Sequence, residues 1–164
     1  TKYQVHAREA QKNFSLLRNE NMKIKQISVF LENRKGRLYD VCSLLGQNNV
    51  NIRALNVAET ESFGILRIVV NKPDVAMEAL KDAGIVARLT DVIAIEVEDK
   101  PGGLANILKV LADEDINIEY MYGFVEKSSD KALMVFRFDD ADKASAILKK
   151  HNIQIVTEKG VSEL

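Results

Sequence analysis

The residues best suited to chemistry lie in two short turns. Asn33-Arg34-Lys35-Gly36-Arg37-Leu38 recurs 66 residues later as Asp99-Lys100-Pro101-Gly102-Gly103-Leu104. Each turn sets a short polar side chain and a glycine ahead of an apolar run. Glycine permits a tight turn and lets a ligand approach backbone N–H groups. A helix starting just beyond it offers unpaired N–H donors and a field that favours a carboxylate. Asn33 can donate and accept, so it suits an α-amino or a carboxylate group, whereas ionised Asp99 only accepts and suits an ammonium. Asn51-Ile52 and Asn117-Ile118 repeat at the same offset, and each pair is expected to open a strand close to the turn of its own module. Two readings stay open. These residues can simply shape turns and cap local backbone, or they can hold a small polar ligand.

Other chemistry finds little support. His6 lies far upstream, and His151 closes a helix before Asn152, an ordinary place for a histidine. Cys42 has Leu108 as its repeat partner, which marks it as a small core residue. No HExxH, GxSxG, phosphate-loop lysine or dinucleotide fingerprint occurs. The acidic group Asp139, Asp140 and Asp142 sits at a helix start, where negative charge is favourable in any case. No catalytic residue, metal site or cofactor is therefore expected. A net charge of −1 argues against a polyanion-binding surface, and the absence of Trp leaves little to stack on single-stranded bases. No apolar stretch approaches the roughly 20 residues that span a bilayer. No nucleic-acid or membrane partner is expected, and the cytoplasm is the expected compartment.

The elements that must position the turns follow from the repeat. The offset of 66 also superposes Val41 on Ile107 and Leu45 on Leu111. After two extra residues before Lys131, an offset of 68 maps Leu66 on Met134 and Leu80 on Leu148. In the first copy, residues 24–31 are β-branched and apolar and read as a strand. A helix over 37–47 puts Leu38, Val41, Cys42 and Leu45 on one face. Strands at 51–59 and 64–70 flank a polar hairpin turn. Pro73 opens a helix over 73–82, Gly84 ends it, and 85–89 forms a fourth strand. The second copy repeats the order with strand 92–97, helix 103–113, strands 117–126 and 131–138, helix 141–150 and strand 153–158. The fold expected is α+β: two ferredoxin-like βαββαβ modules in tandem, each a four-stranded antiparallel sheet with two helices on one face. Residues 1–22 form an N-terminal leader or arm, 23–90 the first module and 91–164 the second. Thr90-Asp91 is the whole link, too short to let the modules separate. Side-by-side sheets and facing helices are both compatible with it. A free sheet face or edge offers a place for a second chain, so a homodimer is expected.

The two turns, taken with Asn51-Ile52 and Asn117-Ile118, resemble the signature of ACT domains. The resemblance covers about residues 24–158 as two domains with no enzyme attached, and Pro101-Gly102 matches the family motif better than Lys35-Gly36. It implies a non-catalytic regulatory protein that binds an amino acid or similar small metabolite at interfaces between modules or subunits. The signal would pass to a regulated enzyme or transcription factor. In serine-binding members the turn residue and the asparagine opening the second strand hold the ligand; those roles would fall on Asn33 and Asn51, and on Asp99 and Asn117. Such members carry a histidine two residues before the turn asparagine, where this chain has Leu31 and Val97. That departure implies a different or more apolar amino acid. The alternative is an interaction or structural module without a ligand, with a small enzyme the remotest reading.

Overall fold

The computed structural model describes residues 22–59, 63–125 and 130–164. The leader expected over 1–21, with His6, lies outside the described residues. The first module runs β1 (Ile24–Glu32), α1 (Arg37–Gln47), β2 (Ile52–Glu59), β3 (Phe63–Val70) and α2 (Pro73–Asp82) into β4 (Ala87–Glu98). The second continues through α3 (Gly103–Asp113), β5 (Ile118–Gly123), β6 (Lys131–Phe138), α4 (Ala141–Lys150), β7 (Ile155–Val156) and α5 (Glu158–Ser162). Both modules have the expected βαββαβ order, and every pairing is antiparallel.

Three expectations are revised. There is no linker at Thr90-Asp91, because the last strand of module one and the first of module two are one twelve-residue strand, β4. Its residues 87–92 pair with β1, and 93–98 pair with β6. Unbroken β-branched and apolar residues from Val92 to Val97 give the chain no reason to turn there. The strand expected over 153–158 shortens to two residues, Ile155–Val156. Thr157 then caps helix α5, its hydroxyl accepting from the Gly160 N–H at 3.3 Å. The second strands also begin one residue later than expected, at Ile52 and Ile118.

The shared strand fixes how the modules pack. The hydrogen-bonded order is β2-β3-β1-β4-β6-β5, with β7 also on β4. The ends of this series meet at an antiparallel bridge between Ala54 and Phe124, where the Val125 N–H also donates to the Arg53 carbonyl at 2.9 Å. The helix-free sheet faces therefore cover one another. Helices α1 and α2 pack on Ile27, Val29, Leu66 and Ile68 in module one; α3 and α4 pack on Ile93, Ile95, Phe136 and Phe138 in module two. A third core, between the sheets, is built from Ile24, Ala54, Val69, Val92, Ala94, Tyr122, Leu133 and Val135, with Val161 of α5 among them. Strand alternation explains the division: odd residues of β1 face the helices, even ones face the other sheet.

Gln26 is fully buried in that third core. Its Nε2 donates to the Tyr120 hydroxyl at 2.8 Å and the Ser28 hydroxyl at 3.1 Å, and its Oε1 accepts from the Tyr122 hydroxyl at 2.6 Å. A satisfied amide in a core is tolerated where an unsatisfied one is costly. Here it joins strands of both modules and pins the two tyrosines in place. Burial raises the Tyr122 phenol far above its ordinary pKa.

Candidate functional site

The two polar turns end β1 and the module-two part of β4, and they share a backbone. Gly36 lies at φ 83°, ψ −10° and Gly102 at φ 81°, ψ −6°, a left-handed conformation that only glycine adopts without strain. In each turn the second residue's N–H donates back to a strand carbonyl: Arg34 to Glu32 and Lys100 to Glu98. The first helical N–H is also used, from Arg37 to the Arg34 carbonyl at 3.3 Å and from Gly103 to the Lys100 carbonyl at 2.9 Å.

The turns diverge in what surrounds them. In module one, Asn33 and Arg37 line a groove of about 390 Å³ with Phe30, Leu31, Glu32, Phe63, Gly84 and Val86. The Arg37 Nε is buried and has no hydrogen-bond partner. Arg34 is drawn aside to the Glu32 and Asp40 carboxylates at 3.3 and 3.4 Å, and Leu38 is exposed. In module two, Asp99, Pro101 and Gly102 are exposed, Leu104 is half-buried against the core, and Gly103 is buried. A β-carbon on Gly103 would collide with the Glu98 carbonyl oxygen. Lys100 bonds the Glu98 carboxylate at 2.7 Å and holds that carboxyl below its usual pKa.

The asparagines that open the second strands are not beside these turns. Asn51 pairs with Asn71, its N–H donating to Asn71 Oδ1 at 2.8 Å and its carbonyl accepting the Asn71 N–H at 3.1 Å. Ile52 stands opposite Val70, while Glu59 stands opposite Gly64, next to Leu31 and the turn. Asn33 and Asn51 are thus at opposite ends of the sheet, roughly 25 Å apart at the usual strand rise. The same holds in module two, where Ile118 pairs with Phe138 but Glu98 pairs with Lys131. The expected proximity within one module is therefore corrected. An antiparallel β1-β3-β2 arrangement sends the two loops to opposite ends, and only a second module laid antiparallel could unite the two sets.

A larger cavity was missed from the sequence. It opens between the two sheets, with a volume of about 490 Å³, and is lined from both modules by Ser28, Arg67, Arg88, Glu119, Tyr120 and Arg137 among others. Alternation marks Ser28, Arg67 and Arg88 as facing away from the helices of their module. Nothing in the sequence says that the second module covers this face.

Two βαββαβ modules fused through one strand, with a left-handed glycine turn ahead of the first helix of each, define a tandem α+β module. The ACT domain pair family matches residues 22–164, and the chain belongs to that family. ACT domains are small-molecule-sensing regulatory modules and carry no catalysis of their own. A protein of Bacteroides thetaiotaomicron is 39% identical, with 87% of this chain and 98% of that one aligned at a TM-score of 0.82. The ligand-free regulatory subunit of aspartate kinase from Thermus thermophilus shares 18% identity over 81% of this chain and 93% of that one, with a TM-score of 0.59. The corresponding subunit from Thermus flavus shares 16% over 79% and 92%, with a TM-score of 0.53. No curated protein matches the chain. Among the described residues no cluster of metal-ligating side chains occurs, and no helix is long and apolar enough to cross a membrane.

Proposed function

We propose that the chain senses an amino acid at the module-one turn and passes that signal, as a homodimer in the cytoplasm, to a regulated enzyme or transcription factor. Arg37 carries the reading: it lines a groove shared with Asn33, and its buried Nε has no hydrogen-bond partner. A buried donor without a partner costs free energy that a ligand carboxylate would recover. The start of α1 adds a favourable field for that carboxylate. Phe30, Phe63 and Val86 supply an apolar wall for the ligand's side chain, in keeping with Leu31 standing where serine-binding relatives have histidine. Asn51 would join such a site only from a second chain, so ligand and dimer support each other by linkage. Exposed Leu55 and Val57 on β2 supply apolar surface for that association.

The test is a thermal-shift screen against the twenty amino acids at millimolar concentration, followed by calorimetric titration of any hit. A ligand at 100 times its dissociation constant adds about 2.7 kcal/mol, worth several degrees in a chain of this size. One apolar amino acid, or a few related ones, should raise the melting temperature in the wild type. The shift should fall sharply in Arg37→Ala and Asn33→Ala and persist in Asp99→Ala. A flat response, or a response indifferent to Arg37, would overturn the reading and leave an interaction module without a ligand.

A further inference from the structure

We propose that the cavity between the two sheets is a second, separate ligand site, which takes a small organic acid with a short apolar body. Three guanidiniums border it, Arg67, Arg88 and Arg137, against two carboxylate residues, Asp91 and Glu119. The carboxylates are already committed. Glu119 accepts from Arg137 Nε at 3.1 Å, and Asp91 is bonded to Lys25 at 2.6 Å. Arg137 is further fixed by donating from Nη1 to the Asp91 carbonyl at 3.0 Å. Arg67 and Arg88 are left as the positive charge available to a ligand. The Arg67 guanidinium carbon lies over the Tyr120 ring, 3.9 Å from its centroid, and Nη1 donates to Asn56 Oδ1 at 3.3 Å. A guanidinium has five N–H donors, so Arg67 held over the ring and bonded once to Asn56 keeps further donors for a carboxylate. Arg88, across β1 from Arg67 with Ser28 between them, has no partner among the described residues.

The other walls define the rest of the molecule. Phe30, Ile65 and Leu89 are apolar, and the Ser28 and Thr90 hydroxyls are polar groups of small reach. The cavity volume is within the range of small-ligand sites. Tyr120 is held from behind by the buried Gln26, which also bonds Tyr122 and Ser28, so the floor is rigid before any ligand arrives. A carboxylate matches the paired guanidiniums, and a short aliphatic body matches the wall. An amino acid and its 2-oxo acid share those two features.

The site also has a mechanical consequence. Strands β2 and β5 meet through the Ala54–Phe124 bridge, with no longer pairing between them among the described residues. A ligand held by Arg67 and Arg88 on one side, against Tyr120 and Arg137 on the other, would brace this weak closure. Binding should therefore stabilise the packing of the modules on each other.

The experiment uses the full chain and four probes at millimolar concentration: 3-methyl-2-oxobutanoate, L-valine, isobutylamine and inorganic phosphate. Melting temperature and calorimetric titration are read for wild type, Arg88→Gln, Arg67→Gln and Asn33→Ala. One or both carboxylate probes should bind, and isobutylamine should not. Arg88→Gln should weaken binding about tenfold, the effect of losing one charge-assisted contact, while its unliganded melting temperature stays near that of the wild type because Arg88 is exposed. In Asn33→Ala an arginine-sensitive binding event should remain for 3-methyl-2-oxobutanoate or L-valine, even where a separate event at the turn is lost, which separates this site from the turn. No binding by either carboxylate, binding by phosphate alone, or binding untouched in both arginine variants would overturn the proposal.

Discussion

Gly36 and Gly102 have nearly the same backbone angles, yet the residue that follows each serves a different end. In module one it is Arg37, which lines a groove and has a buried Nε without a partner. In module two it is Gly103, where the start of α3 lies so close to β4 that a side chain has no room. The two copies share the turn backbone and differ in the residue that follows the glycine. One turn site per chain is the expectation, and the comparison can be pressed by substitution.

The largest effect should come from Gly103→Ala. Its β-carbon must displace the Glu98 carbonyl or the start of α3, and overpacking of this kind costs about 1–3 kcal/mol. Arg37→Ala, at the equivalent position, should not destabilise the fold, because the lost Nε was a buried donor without a partner and its removal relieves that cost. Urea unfolding of the two variants measures the contrast. Equal costs would mean that the two helix starts are packed alike.

Next in size is Tyr122→Phe, which sharpens a second contrast. Gln26 and its repeat equivalent Val92 both face the third core, one polar and one apolar. Removing the phenol leaves Gln26 Oε1 without its 2.6 Å donor, at a cost of about 1–2 kcal/mol. The same residue sets an alkaline limit. Its folded pKa is raised by burial, so its contribution is full below the unfolded tyrosine value of about 10 and is lost as pH rises beyond it. Wild-type stability should fall in that window while Tyr122→Phe falls less. Tyrosinate absorbance, followed alongside unfolding, checks this; early ionisation of Tyr122 without unfolding would contradict it.

Gly36→Ala and Gly102→Ala should be smaller and equal, each costing about 1 kcal/mol from forcing an L-residue into positive φ. Neither position meets a neighbour within contact distance, so only backbone strain contributes. Unequal costs would show that the two turns differ in backbone as well as in side chains.

Much of this was legible in the residues. The offset of Asn33 to Asp99, the proline of α2 and the glycines at both turns suffice for the βαββαβ order and the bounds of α1 to α4, while helix α5 is not among the expected elements. The fused strand β4 was not, because β-branched residues at Val92–Val97 continue a strand and start one equally well. The reach of the turn asparagines was misjudged for a reason of topology: β1 and β2 lie either side of β3, so the start of β2 lies at the far end from the end of β1. The cavity between sheets was illegible for another reason. Arg67, Arg88 and Arg137 read singly as solvated strand residues, and only the packing of one module's open face on the other brings them together. Arg37 stands in the turn motif, but its unpartnered donor is a matter of packing and leaves no mark in the sequence.

The smallest effect tests the C-terminal ends of the equivalent helices. Asn48 caps α1 with its own side chain, Nδ2 donating to the Leu44 carbonyl at 2.9 Å. Its counterpart Glu114 instead reaches α4, bonding Lys150 at 2.7 Å and lying 3.0 Å from His151 Nε2. The Lys150 ammonium, and then His151, hold the Glu114 carboxyl below its usual pKa. A depressed carboxylate contributes stability above its unfolded value of about 4.3, and that contribution is lost as pH falls through the folded value. Glu114→Gln should therefore be slightly less stable than wild type near neutrality, and the gap should close on acidification. Asn48→Ala should cost the same at every pH, since an amide cap has nothing to titrate. Urea midpoints for both variants across the acid range decide the matter. A Glu114 gap that persists at low pH would mean that α4 is held there by packing, and that the two helix ends differ in shape rather than in charge.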